Sequence, residues 1–331
     1  MVREAAVLGA GVMGHGIAQL YATAGAAVRL HDVSAEALAS GLRAVEGSLA
    51  LLVEEGVLEA GQASRIRARI RPAADLDLAL RGAEVVTECI PEVLSWKREL
   101  LHRVERVVAG DALVFSNTST LPVARLGEGA LHPGRMAVTH FFNPAQLVPL
   151  VEVVPHPAMG AERVERTLAI LRDIGKVPVL LRRDVPGFIA NRLQAALVRE
   201  AFHLLELGVA GPEEIDAVVT AGPGVRWPFL GPIETADLGG LEVWRRVMDN
   251  LAPVLGDAGE APAALRERVE RGDLGAKTGR GIFDYPGGRA EEIVRRRDRL
   301  LVRLARLKEG LPGSPPGPAP NEGVDTDGRD P

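Results

Sequence analysis

The stretch AAVLGAGVMGHGIAQL, residues 5–20, decides the fold. Its apolar start, Ala5 to Leu8, has the near-continuous hydrophobicity of a strand buried on both faces. Gly9, Gly11 and Gly14 follow at once, and the residues from Gly14 onward carry a helical pattern. A glycine triplet alone is weak evidence, but between a strand and a helix each glycine has a physical reason. Gly9 permits the tight turn, Gly11 lets a pyrophosphate approach the backbone, and Gly14 lets helix and strand pack closely. The helix N-terminus then faces the phosphates. The second strand ends Val28-Arg29-Leu30-His31-Asp32, which puts a carboxylate 23 residues beyond Gly9. Asp32 there would hydrogen-bond the ribose hydroxyls and repel a 2′-phosphate, so NAD is favoured over NADP. The bland alternative is a structural turn with no ligand, and His15 and His31 read as bystanders.

Further along, β-rich runs at 3–8, 27–31, 85–90, 112–116, 135–141, 149–154 and 177–182 set the pattern. Helical patterns at about 14–24, 35–55 and 93–108 lie between the first four. The alternation predicts an α/β fold, a doubly wound Rossmann-type sheet over residues 1–184. Segment 48–69 reads as two helices joined near Gly56 to Gly61. After Asp184-Val185-Pro186-Gly187 the pattern is helical, at 188–207, 212–221, 233–253 and 262–271, with no convincing strand. An all-α domain over 185–289 is expected to follow, for substrate binding and dimerisation. A charged helix at 290–309 and a Pro/Gly-rich tail, expected to be disordered, make up residues 290–331.

The 331 residues, 47% hydrophobic and 25% charged, describe a soluble globular chain long enough for two domains. A net charge of −5 gives no global reason to expect nucleic acid or an acidic membrane surface as partner. Cys89 is the only cysteine, which excludes an intrachain disulfide and suits a reducing compartment. There is no signal-peptide layout and no apolar run of about 18 residues, so a cytoplasmic protein is expected. Nothing calls for a metal.

Glu152 is out of place in the apolar run Leu150-Val151-Glu152-Val153-Val154. Burying an unpaired carboxylate costs several kcal/mol, so Glu152 either faces water or has a partner. His140, at the end of the run Met136-Ala137-Val138-Thr139-His140, stands twelve residues earlier, and Asn143-Pro144 breaks the chain between them. Two neighbouring strands could set imidazole against carboxylate. Glu152 would then fix the tautomer and leave the other ring nitrogen free to take a proton, a role typically worth about 10² to 10⁴ in rate. A purely structural His–Glu pair is the alternative. Ser116, Asn117, Thr118 and Ser119 end another strand, and Glu88 and Glu92 a third. Both sets fall where open α/β sheets bind ligands, and both also suit ordinary capping.

The motifs GAGVMGHGIA, ECIPE, SNTSTLP, HFFNPAQLVPLVEVV, DVPGFIANRL and LGAKTGRGIFDY occur in that order. From Val2 to about Tyr285 the chain resembles the L-3-hydroxyacyl-CoA dehydrogenases and their relatives that act on free 3-hydroxy acids. The resemblance implies a Rossmann-type domain, a helical domain that dimerises, and NAD-dependent oxidation of a 3-hydroxyl. It implies His140 as catalytic base, Glu152 as its orienting carboxylate, and Ser119 and Asn191 as hydrogen-bond partners of the reacting oxygen. Gly9, Gly11, Met13, Gly14, Asp32 and Asn117 fall among its cofactor-binding positions. Glu92 and Lys97 match contacts to the nicotinamide half of NAD.

Two departures concern the substrate. In CoA-using members the helical hairpin carries lysines that meet the CoA phosphates, whereas this chain has Glu54, Glu55 and Val57 near the hairpin tip. Arg65, Arg67 and Arg69 lie just beyond and could serve instead. The segment GPGVRWPFLGPIETADLGG looks more like relatives acting on free hydroxy acids, such as gulonate or carnitine dehydrogenases and lambda-crystallin. There Arg226 could hold a substrate carboxylate. An L-3-hydroxyacyl-CoA such as 3-hydroxybutyryl-CoA is the family default, and a free 3-hydroxy acid the alternative. A non-catalytic NAD(H)-binding protein predicts a damaged dyad, yet His140, Glu152, Ser119 and Asn191 are all present. A 6-phosphogluconate-type enzyme would need a lysine within 188–207, and none occurs.

Overall fold

The computed structural model describes residues 1–308, so the expected tail lies outside the described residues. The chain divides into two compact units. Among the described residues one is Met1–Phe188 together with Arg295–Lys308, and the other is Ile189–Val294.

The first unit is built on an eight-stranded sheet with strand order β3-β2-β1-β4-β5-β6-β7-β8. The strands are β1 Glu4–Leu8, β2 Ala27–His31, β3 Ile70–Ala73, β4 Val85–Glu88, β5 Leu113–Ser116, β6 Met136–Phe141, β7 Leu150–Pro155 and β8 Val177–Leu180. All neighbours are parallel except β6 and β7, which run antiparallel. The period of two explains how one strand serves two faces. Ala5 and Val7 of β1 join the apolar layer containing Ile17, Tyr21, Val28 and Leu30. Ala6 and Leu8 join the opposite layer with Leu76, Leu80, Val86, Leu101 and Val104. Burying each such aliphatic side chain contributes about 1.5–3 kcal/mol, which is why the central strands carry almost no polar residues before their ends.

The helices of this unit are α1 Gly14–Thr23, α2 Ala35–Glu54, α3 Ala60–Arg69, α4 Leu76–Leu80, α5 Leu94–Val107, α6 Val123–Leu126 and α7 Ala161–Asp173. Ser34 caps α2 through a hydrogen bond from the Ala37 N–H, and Asp75 caps α4 in the same way. The hairpin of α2 and α3 matches the expectation for 48–69. β3, α4, α6 and α7 escaped the sequence pattern. β3 is four residues long with only its first and last residues buried, and it contains Pro72. It survives because it is an edge strand, where a missing N–H costs no ladder bond. α7 is the crossover that a parallel β7–β8 pair requires.

The second unit holds α8 Ala190–Glu206, α9 Pro212–Ala221, α10 Pro232–Leu238, α11 Leu241–Leu251 and α12 Ala263–Glu270. The single helix expected at 233–253 is two, because Gly240 adopts a positive φ of 92° that ends the first. Gly256 is the one buried residue between Ile189 and Val294.

α13, Arg289–Lys308, passes from the second grouping into the first at Arg295. From there its arginines grip the tip of the α2–α3 hairpin. Arg295 and Arg299 pair with Glu54 at 3.3 and 3.2 Å, and Arg303 pairs with Glu55 at 3.0 Å. Arg306 donates to the Gly56 carbonyl. No described helix is long and apolar enough to cross a membrane.

Candidate active site

The carboxyl ends of β1, β4, β5 and β6 open on the same edge of the sheet, because those strands are parallel. β7 is antiparallel to β6, so its first residues return to that edge. This topology alone gathers the polar residues picked out in the sequence.

The glycine loop follows β1. Gly9 has a φ of 99°, and a Cβ there would stand 2.7 Å from the Cys89 carbonyl oxygen. A Cβ on Gly14 would come within 1.7 Å of the Gly9 carbonyl oxygen, so helix and loop touch backbone to backbone. Gly11 differs, since a Cβ on it would meet nothing within 4 Å. The protein itself does not need that side chain absent, whereas a pyrophosphate approaching the loop does. Met13 directly precedes α1 and packs partly buried against the core. Asp32 accepts the Ala10 N–H at 2.8 Å and the Ser34 N–H at 2.9 Å, which fixes its carboxylate beside the loop. These residues fit a dinucleotide.

His140 and Glu152 face each other directly in the β6–β7 register. His140 Nδ1 lies 2.9 Å from Glu152 Oε2. Both residues are buried, at 4% and 1% exposure, and the rings of Phe142 and Phe188 flank the imidazole at 4.6 and 5.4 Å. Nδ1–H donating to the carboxylate leaves Nε2 as the acceptor. Asn117 secures the neighbouring strand end, its Oδ1 accepting the Phe141 N–H at 2.9 Å.

Glu92 gathers the turn after β5. Its Oε1 accepts the N–H groups of Ser119 and Thr120 at 2.9 and 3.1 Å, together with the hydroxyls of Thr118 and Thr120. Burial raises the Glu92 carboxyl, but the Thr118 bond, the Lys97 charge and the two N–H groups outweigh it and hold it below the usual range. Lys97 is buried. It is 1% exposed and directs its ammonium at Glu88 (2.7 Å), the Ile90 carbonyl (3.0 Å) and Glu92 (3.3 Å). It is thus held by Glu88 and the Ile90 carbonyl with its charge beside Glu92. Burial pushes Glu88 up, opposed by Lys97, by Ser116, whose hydroxyl donates to it, and by the Ile90 N–H.

Asn191 and Arg226 belong to the second unit. Asn191 is the second residue of α8, and Arg226 follows the 3₁₀ turn Pro223–Val225 and is exposed.

Lys176 was not singled out in the sequence, where only its place just before an apolar strand marked it. Its buried ammonium donates to the carbonyls of Ala145 and Val148, at 2.5 and 2.9 Å, and so ties down the connection between the His140 and Glu152 strands. Burial lowers its pKa to about 7.

Known proteins share this fold and sequence. Residues 4–185 match the family model described as 3-hydroxyacyl-CoA dehydrogenase, NAD binding domain, and residues 187–285 match the C-terminal domain of the same family. The chain belongs to the 3-hydroxyacyl-CoA dehydrogenase family. It is 32% identical to 5-formyl-3-hydroxy-2-methylpyridine 4-carboxylate 5-dehydrogenase of Mesorhizobium japonicum, over 94% of this chain and 99% of that protein. It is 35% identical to the probable 3-hydroxybutyryl-CoA dehydrogenase of Bacillus subtilis, over 86% of this chain and 98% of that one. A solved structure of a 5-formyl-3-hydroxy-2-methylpyridine 4-carboxylic acid 5-dehydrogenase superposes with a TM-score of 0.86, at 31% identity, over 94% of this chain and 99% of that chain. As a member of this family the chain is an NAD-dependent oxidoreductase of the hydroxyacyl-CoA and hydroxy acid dehydrogenases. Both family models end by Tyr285, before α13 begins.

Lys176 gives a pH test. Between about pH 7 and 10.5 the unfolded chain holds a proton on this residue that the folded chain releases, so stability rises with pH across that window. Melting wild type and Lys176→Met in parallel from pH 7 to 9 should show wild type gaining on the variant as pH rises. A difference independent of pH would mean that Lys176 keeps its charge.

Proposed function

We propose that this chain oxidises the 3-hydroxyl of a small free 3-hydroxy acid to the 3-oxo compound, with His140 as general base and Glu152 as its orienting carboxylate. The observation that carries the mechanism is the buried hydrogen bond of 2.9 Å between His140 Nδ1 and Glu152 Oε2. NAD, when bound, supplies the hydride acceptor. Nε2 of His140 takes the hydroxyl proton, and the Glu152 carboxylate stabilises the imidazolium that results. Following the family pattern, Ser119 and Asn191 hydrogen-bond the oxygen on which charge develops. In the reverse direction His140 returns the proton.

The choice of a free acid rests on the hairpin tip. Where CoA-using relatives are expected to carry lysines, Glu54 and Glu55 are bound by Arg295, Arg299 and Arg303 of α13. The Arg303 hydrogen bond in particular holds Glu55 below the usual carboxylate range. Arg67 is tied to Glu46 and Arg69 reaches the Ala22 carbonyl, so of the three nearby arginines only Arg65 stays exposed. The named relatives include both kinds, a pyridine-carboxylate enzyme at 32% identity and a probable hydroxybutyryl-CoA dehydrogenase at 35%. Arg226 is the residue we assign to the substrate carboxylate. A CoA thioester is the rival substrate.

The second unit supports a homodimer. No described side chain between Ile189 and Val294 is buried, and Leu193, Phe229, Leu241, Trp244 and Met248 are exposed. Apolar surface on that scale marks an interaction face, and a second copy of the chain is the occupant we assign to it. The single cysteine suits the cytoplasm.

His140→Gln should lower turnover by at least about a hundredfold while NADH binds nearly as before. Retained turnover would remove His140 as base. In an NADH-formation assay, free 3-hydroxybutyrate, gulonate or carnitine should give a higher kcat/KM than 3-hydroxybutyryl-CoA, and Arg226→Ala should raise KM for the free acid alone. Preference for the thioester would return the chain to the family default. Light scattering on the purified protein should give the mass of two chains, and a single-chain mass would leave the helical face unaccounted for.

A further inference from the structure

We propose that Phe188 is a positioning residue for His140, its backbone held in a strained left-handed conformation so that its ring closes over the imidazole. The proposal rests on the reading of His140 as general base, and it adds a residue that the sequence did not single out.

The backbone comes first. Among the described residues Phe188 is the one non-glycine with a positive φ, 51°, and it directly follows Gly187 at 75°. A bulky L-residue avoids that region, because its Cβ crowds the following carbonyl. Such a conformation persists only where the surroundings over-determine it. Here the Leu181 N–H donates to the Val153 carbonyl at 2.9 Å, and the Phe188 N–H donates to the Val185 carbonyl at 3.0 Å. Between them Asp184 Oδ2 accepts the Val123 N–H at 3.0 Å, which ties the segment to the first residue of α6. The chain is thus fixed at three points from Leu181 to Phe188.

The ring shows what the conformation achieves. Side chains alternate along a strand, so Val138 shares a face with His140, and Val154 shares that face with Glu152. Val138, Val154, Leu181 and Phe188 belong to one buried apolar layer. Phe188 is 1% exposed, and its ring centroid lies 5.4 Å from that of His140 at an interplanar angle of 52°. It therefore stands in the layer into which the dyad projects, against the base itself. The bond from Nδ1 to Glu152 is a single tether and leaves the imidazole free to tilt. A ring packed on it removes that freedom and keeps water from the bond, which is stronger in less polar surroundings. Nε2 then stays aimed, and a displacement of about 1 Å at such an atom can cost roughly a hundredfold in rate. A phenylalanine serving only to fill the core gains nothing from strain, since a relaxed backbone can bury the same area.

The test compares Phe188→Gly, Phe188→Ala and Phe188→Leu in the full chain. Glycine accepts a φ of 51° freely, so Phe188→Gly removes the ring while relaxing the backbone. The two truncations leave nearly the same space, so Phe188→Gly should melt above Phe188→Ala. In both, kcat should fall by at least about tenfold, with the NADH Kd changed less than about twofold. Phe188→Leu refills the space and should recover most of kcat. Proton NMR on histidine-labelled protein, with the His140 signal assigned by its loss in His140→Gln, reads the dyad without turnover. The Nδ1 proton should exchange with solvent at least about tenfold faster in Phe188→Gly than in wild type. Unchanged kcat and exchange in a folded Phe188→Gly would overturn the positioning role. A melting temperature for Phe188→Gly below that of Phe188→Ala would overturn the strained backbone. NADH affinity lost in step with kcat would reduce Phe188 to a general core residue. Faster exchange with undiminished kcat would overturn His140 as base and leave the ring contact standing.

Discussion

A carboxylate in the middle of a strand covered on both faces is tolerable only beside a group that can give it a proton or a positive charge. Glu152 is in that position, and the site is arranged around satisfying it. The neighbour has to reach it from an adjacent strand, at the same height and on the same face. The antiparallel β6–β7 pair supplies this by placing His140 opposite Glu152. A parallel crossover would need a dozen or more residues between the strands, and here the connection from Phe142 to Pro149 is too short for one. The single antiparallel step in the sheet is thus the condition that lets a buried acid and a buried base meet.

The same step closes the edge where ligands enter. Parallel strands present their carboxyl ends together, so β1, β4, β5 and β6 contribute the glycine loop, Glu88, Ser116 and His140 without any loop having to travel far. Lys176 then holds the β6–β7 connection from below through two backbone carbonyls. Buried titratable groups recur at each of these ends: Glu152 with His140, Glu88 with Lys97, and Lys176 with carbonyl dipoles. Such arrangements are poor sources of stability, because desolvation consumes much of the attraction. They do hold side chains in one place, and an enzyme that must meet a single oxygen needs that more than it needs extra stability.

Much of this was legible in the residues. The glycine spacing after an apolar strand implied the nucleotide-binding turn, and a misplaced Glu152 implied a partner for which His140 was the candidate. These readings worked because each rests on a local rule, a period of two or a backbone that cannot carry a Cβ. β3 escaped because four residues with a proline carry too little pattern to register. The burial of Lys97 escaped for a different reason. A lysine on an amphipathic helix reads as exposed unless its counter-ions are known, and Glu88 and Glu92 come from other elements. Lys176 was overlooked on the same ground, since its partners are main-chain carbonyls that no side chain announces.

The hairpin tip shows how far this dependence goes. In the sequence Glu54 and Glu55 read as a negative patch that would repel a phosphate. In the fold they are the seats for three arginines that arrive from more than 240 positions away. Their charge is spent on α13, so repulsion is no longer the argument against a phosphate-bearing substrate. The argument becomes one of occupancy. The side chains that would have to turn toward a CoA tail are already committed to the protein's own helix, and freeing them would expose two carboxylates to that same tail. For the free-acid reading proposed above, the case at the tip is therefore prior engagement of these arginines and not charge. A small free acid, the substrate proposed above, would make no demand on them.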